Sequence, residues 1–117
     1  MLKSMLRALQ CRQIYLNLIS VGIAGADGSP EASGLDVSFV SSVVDNGVGD
    51  YTLNFHDKAQ RDIAVLGIHC ATDGKYARVS AVTGNSVRVL VKNISDNAAA
   101  EGDVNLTLAW HGSKHLY

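Results

Sequence analysis

The sequence predicts an all-β chain: an antiparallel β-sandwich or barrel of about seven strands, preceded by a short amphipathic helix or arm. Three observations carry this. From Gln13 onward, apolar and polar residues alternate at period two in one segment after another. Clusters of Gly, Asn and Asp separate the segments, with 11 glycines against a single proline in the chain. No interval between segments is long enough for the crossover helices of a parallel sheet.

The elements follow in order. In "LKSMLRALQ", Leu2, Met5, Leu6 and Leu9 fall at i, i+3, i+4 and i+7, the stripe of an amphipathic helix. Residues 1–12 therefore form a helical arm and residues 13–117 the β domain. A helix of about three turns is marginal in water by itself, so something packs on that stripe, either its own domain or a neighbouring subunit. "QIYLNLISV" alternates Ile14, Leu16 and Leu18 against Tyr15 and Asn17. "ADGSPEASG" is a loop, and "LDVSFVSSVV" reads as a strand with Leu35, Val37 and Phe39 on one face. "DNGVGDYTLNF" sets two glycines suited to positive φ before a strand whose Tyr51, Leu53 and Phe55 point one way. Such a turn pins register, because a slip of one residue would expose all three. "DIAVLGIH" is apolar on both faces, as expected of a central or doubly covered strand. "YARVSAV" and "SVRVLVK" flank the turn Thr83-Gly84-Asn85, with Val87, Val89 and Val91 facing in. The last strand, "DVNLTLAWH", alternates Val104, Leu106, Leu108 and Trp110 against Asn105, Thr107 and His111.

The chain has 117 residues, enough for one domain that buries a core without metal or disulfide staples. Its net charge of −1 argues against a dedicated nucleic-acid binder, which needs a basic surface. The charge is uneven. Lys3, Arg7 and Arg12 give the first 13 residues +3, and the remainder sums to −4. The basic end suits an acidic neighbour, including the body of another copy. The start of the chain, with Ala24-Gly25-Ala26 after an apolar run, imitates a signal peptide. Asn17 interrupts that run, which is too short to span a bilayer, so a soluble, unprocessed protein with no membrane partner is expected.

Candidate chemistry is sparse. Cys11 and Cys70 permit one disulfide or two free thiols, the latter packing as small apolar residues. His56-Asp57 and His69-Cys70 invite a thiol-nucleophile reading, but strand neighbours point to opposite faces, so His69 does not activate Cys70. His111 and His115 have a zinc spacing only on a helix, and Gly112 between them argues against one. No phosphate-binding loop, calcium loop or paired catalytic carboxylates appear, so no enzyme activity, metal or cofactor is expected. Trp110 and His111 are candidates for a ligand or receptor patch, against a core role for the indole.

"SSVVDNGVGDYTLNF", "IAVLGIH", "NSVRVLVKN" and "GDVNLTLAWHG" together resemble a β-rich module of tailed-bacteriophage virion proteins. The likeness covers about residues 35–112. It implies a non-enzymatic virion component that decorates or cements the capsid, or forms a head or tail fibre, as a homotrimer. A fibre module would follow a long repetitive shaft. A short domain with a basic, apolar arm fits capsid decoration instead, at the capsid surface with the major capsid protein as partner. Leu2, Lys3, Met5, Leu6, Arg7, Leu9 and Arg12 are then the partner-binding residues. The alternative is a receptor-binding fibre module with its patch near Trp110 and His111.

Overall fold

In the computed structural model, residues 15–59 and 62–112 are described. They form β1 (Tyr15–Ala24), β2 (Glu31–Ser33), a 3-10 turn (Val37–Phe39), β3 (Val40–Gly47), β4 (Asp50–Phe55), β5 (Ala64–Cys70), β6 (Lys75–Val82), β7 (Ser86–Asn93) and β8 (Val104–Gly112). The expected helical arm, residues 1–12, lies outside the described residues. The strands make two four-stranded antiparallel sheets, ordered β2-β1-β8-β5 and β3-β4-β7-β6. An antiparallel β-sandwich is the fold.

The core lies between the sheets and comes from the alternation. Ile19, Val21 and Ile23 of β1, with Val104, Leu106, Leu108 and Trp110 of β8, meet Tyr51, Leu53 and Phe55 of β4 and Val87, Val89 and Val91 of β7. The Trp110 ring packs edge-on against Phe55, centroids 5.4 Å apart at 72°, a geometry that suits the ring quadrupoles.

The connectivity interlocks the sheets. β4 pairs with β7 and the following strand, β5, pairs with β8 across the sandwich. The strand orders β3-β4-β7-β6 and β5-β8-β1 correspond to the A-B-E-D and C-F-G orders of a constant-type immunoglobulin sandwich, with the first strand of the chain in the last strand's place. Tyr15 therefore pairs with Gly112, and both ends of the described chain leave from one end of the β1-β8 pair.

Three expectations change. The strand expected to begin near Leu35 begins at Val40, because Val37–Phe39 form a 3-10 turn and Leu35 is 91% exposed. In β1 the buried face is Asn17, Ile19, Val21 and Ile23, leaving Leu16 and Leu18 outside. β5 is not central but outermost in its sheet. Its apolar character on both faces reflects a bulge: Val65 opposes Leu108 and Gly67 opposes Thr107, with Leu66 as the extra residue. The bulge puts Leu66 and Gly67 outside together and returns Ile68 and Cys70 to the inner face.

Candidate functional site

The two outer faces of the sandwich differ in chemistry. On the β3-β4-β7-β6 sheet the outward residues are mixed, Val44, Leu90 and Ala81 standing among polar and charged ones. Arg88 grips Asp50 in a two-pronged ion pair, with Nη2–Oδ2 2.6 Å and Nε–Oδ1 2.9 Å. That guanidinium holds the Asp50 carboxyl below its ordinary range. Asn46 donates to Thr52 Oγ1 at 2.8 Å and Asn54 to Ser42 Oγ at 3.2 Å. These polar groups suit a sheet face in water.

The opposite sheet is different. None of the residues in β1, β5 and β8 is Asp, Glu, Lys or Arg. Leu18 pairs with Ala109, which pairs with Ala64, so one row of outward apolar residues crosses three strands. Leu16 extends it along β1 and the bulged Leu66 along β5. Leu16, Leu18 and Leu66 are 57%, 58% and 60% exposed. Beyond them the face turns polar, through Thr107 and Asn105 to the exposed His69. Leu16, Leu18 and Leu66 thus stand exposed among uncharged neighbours, while Leu35, Val44, Val48 and Ile94 are exposed elsewhere on the molecule.

A second constellation closes the loop end. The Tyr51 side chain is fully buried. Its hydroxyl donates to the Glu101 carboxylate, lies 3.3 Å from Gly25 O, and accepts from the Gly102 N–H at 3.4 Å. Burial first, and Glu101 second, push its phenol pKa above the ordinary value. Lys75 Nζ donates to Glu101 O at 2.5 Å. Nearby, Ala24, Ala26, Asp27 and Asp103 line an open depression of about 250 Å³. Its carboxylates are occupied: Asp103 accepts from Ala26 N at 3.0 Å and Asp27 from Ser29 N at 2.9 Å. These groups staple loops.

The sequence candidates fare unevenly. Leu2, Lys3, Met5, Leu6, Arg7, Leu9 and Arg12 lie outside the described residues, as do Cys11 and His115. Trp110 is 2% exposed and turned into the core, so its ring offers no stacking surface to a ligand. His111 follows it on the outer face, half-buried beside Leu16. The two do not share a patch, because adjacent strand residues face opposite ways. His69 points outward while the free thiol of Cys70 points inward, 3.8 Å from Thr72 O. Among the described residues no group of three His, Cys, Asp or Glu is placed to hold a metal. Leu66 and Ala109 were not candidates from the sequence. The absence of charge from the segments 15–24, 64–70 and 104–112 was the signal that would have found them.

The fold and its surface define a class, an all-β sandwich whose β1, β8 and β5 strands carry no charged residue while the opposite sheet bears an ion pair. No protein-family model, curated protein or solved structure matches the chain.

Proposed function

We propose that this chain is a structural virion protein of a tailed bacteriophage, a capsid decoration or cement protein that binds major capsid protein subunits and itself, as a homotrimer. The observation that carries the binding part is the uncharged outer face of β1, β8 and β5, with Leu16, Leu18 and Leu66 in one cluster. The opposite sheet, by contrast, bears an ion pair in water. The resemblance of residues 35–112 to virion modules supplies the setting. No catalytic step belongs to this reading. Many copies on a shell turn a modest contact per copy into resistance to pressure from within. The fibre alternative calls for an aromatic and polar patch on loop tips near Trp110 and His111, of which the Trp110 ring lies inside the core and His111 half-buried on the outer face.

Mixing the purified protein with bare capsids tests the proposal. Saturable occupancy at three-fold or quasi-three-fold points is expected, with loss of occupancy in Leu18→Asp. Absence of binding to capsids, together with binding to bacterial glycans, would overturn it in favour of the fibre role.

A further inference from the structure

We propose that Asn46 is a site of spontaneous modification, where the backbone nitrogen of Gly47 closes on the Asn46 side-chain amide, and that hydrogen bonds of the β3-β4 hairpin restrain this reaction. The inference stands apart from the assembly reading above, since it concerns the chemistry of one turn.

Sequence selects the residue. Of the seven asparagines in the chain, Asn46 alone precedes a glycine. Ring closure brings the nitrogen of the following residue against the side-chain carbon, and a Cβ on that residue obstructs the approach. Gly47 has none, and its φ of +134° is one that other residues rarely adopt. Both residues are exposed, so water reaches the bonds that are hydrolysed later. Asp27-Gly28 and Asp73-Gly74 share the glycine but present a carboxylate, whose charge repels a nucleophile and which lacks a good leaving group.

The reaction balances with water alone. The Gly47 nitrogen bonds to Asn46 Cγ and gives up its proton, while the side-chain nitrogen departs as ammonia. A five-membered succinimide remains. Water then opens the ring at either carbonyl. Cleavage at Cγ leaves aspartate in a normal chain. Cleavage at the backbone carbonyl leaves isoaspartate, whose main chain runs through the side-chain carbons of residue 46.

The fold holds both reacting groups elsewhere. Asn46 is the residue that the β3-β4 register skips, since Asp45 pairs with Tyr51 and Gly47 with Asp50. Its amide reaches across the hairpin, where Nδ2 donates to Thr52 Oγ1 at 2.8 Å and to Asp50 Oδ1 at 3.4 Å. The Gly47 N–H donates to Asp45 Oδ1 at 3.0 Å. Closure requires these bonds to open, so in the native protein it runs through local opening of the turn. The product then undoes the restraint. A carboxylate at position 46 has no N–H for Thr52 and Asp50, and it adds negative charge beside Asp45 and Asp50. The isoaspartate form also lengthens the backbone between two paired positions, next to a turn tied to β7 by the bond from Val91 N to Gly49 O. Modification therefore loosens the hairpin that sets the register of Tyr51, Leu53 and Phe55.

The test incubates the full chain at mildly alkaline pH, folded and in guanidinium, and follows the amide-to-acid mass gain at each asparagine by peptide mass spectrometry. In guanidinium Asn46 should react first. Gly47→Ala, measured there so that folding plays no part, should slow residue 46 to the rate of the other asparagines. The folded chain should react more slowly than the unfolded one by roughly tenfold or more, because several hydrogen bonds must open. Thr52→Val keeps the side-chain shape and removes one acceptor, so it should raise the folded rate at Asn46 about 2- to 10-fold. Another asparagine reacting first in guanidinium, or equal rates in the folded and unfolded chains, overturns the proposal. So does an unchanged rate in Thr52→Val, or a rise shared equally by Asn97, which would place the opening in the whole domain rather than in this turn.

Discussion

Gly49 is the residue whose replacement the fold should tolerate least for its size. It closes the β3-β4 turn at φ +62° and accepts a hydrogen bond from Val91 N at 2.7 Å, so the turn is tied to β7. A Cβ added there would run into the Ala100 carbonyl oxygen and come within 2.5 Å of Val91 O and 3.0 Å of Ala100 N. All three are backbone atoms, so no side chain can swing aside. An Ala in the left-handed region costs about 1–2 kcal/mol. Displacing packed backbone adds about 1–3 kcal/mol, and weakening the Val91 bond adds about 1 kcal/mol. Gly49→Ala should therefore lose about 3–6 kcal/mol of a total on the order of 5–15. Gly28→Ala is the control: its φ is +82°, but a Cβ meets nothing within 4 Å, so only the conformational cost of about 1–2 kcal/mol remains. Urea unfolding followed by the fluorescence of Trp110, the only tryptophan, reads both. With slopes of about 1–3 kcal/mol per molar, the Gly49→Ala midpoint should fall by about 2 M. Equal losses in the two variants would refute the clash and leave backbone strain as the whole effect.

Tyr51→Phe should cost about 1–3 kcal/mol in the same assay, because the Gly102 N–H and the Glu101 carboxylate lose a partner beside buried surface. Tyr76→Phe, whose hydroxyl meets Asn97 at an exposed site, should stay within about 0.5 kcal/mol. Neighbours in β1 should behave oppositely. Ile19→Asp places a charge at a site 1% exposed and should abolish folding, seen as loss of cooperative unfolding. Leu18→Asp, at a site 58% exposed, should leave stability within about 0.5 kcal/mol. Asp50 has a depressed carboxyl pKa, so its ion pair contributes stability above the unfolded carboxylate range. That contribution is lost as pH falls through the folded value. Arg88→Gln should raise the Asp50 pKa in a carboxyl-carbon NMR titration, and an unchanged titration would show that the guanidinium is not its cause.

Period-two alternation was enough to read the inner faces of β4, β7 and β8, where Tyr51, Val89 and Leu108 end fully buried. It failed where two phases coexist. β1 begins with leucines at even positions and continues with Ile19, Val21 and Ile23 at odd ones. The longer run determines the core, and Asn17 is carried inside with it at 3% exposure. In β5 a bulge shifts the phase at Leu66, and alternation alone cannot announce a bulge. The candidate face was legible only as missing charge, a signal that appears once strands distant in sequence are known to be neighbours. Ala64, Ala109 and Leu18 become one row only through the pairings of β8 with both β5 and β1.

The same register shifts bear on how the molecule associates. Of the four outermost strands, β3, β5 and β6 each carry a bulge or irregularity, and the fourth, β2, is three residues long. Bulged and very short edges resist pairing with the strands of another chain. β6 adds Lys75 and Arg78 to its edge, a further device of the same kind. The faces are treated the other way. One keeps an ion pair and amide side chains in water, and the other presents leucines with no charge to deter a neighbour. For the association proposed above, blocked edges and exposed leucines favour side-chain packing on that face over sheet extension. Variants that straighten an edge, such as deletion of the bulged Ser80 in β6, should thus promote aggregation without aiding assembly. Leu66→Asp should do the opposite, removing assembly while the free chain stays soluble. Sedimentation of the two variants separates these outcomes, and assembly that survives Leu66→Asp but fails on changes at an edge strand would show that the face is not the contact.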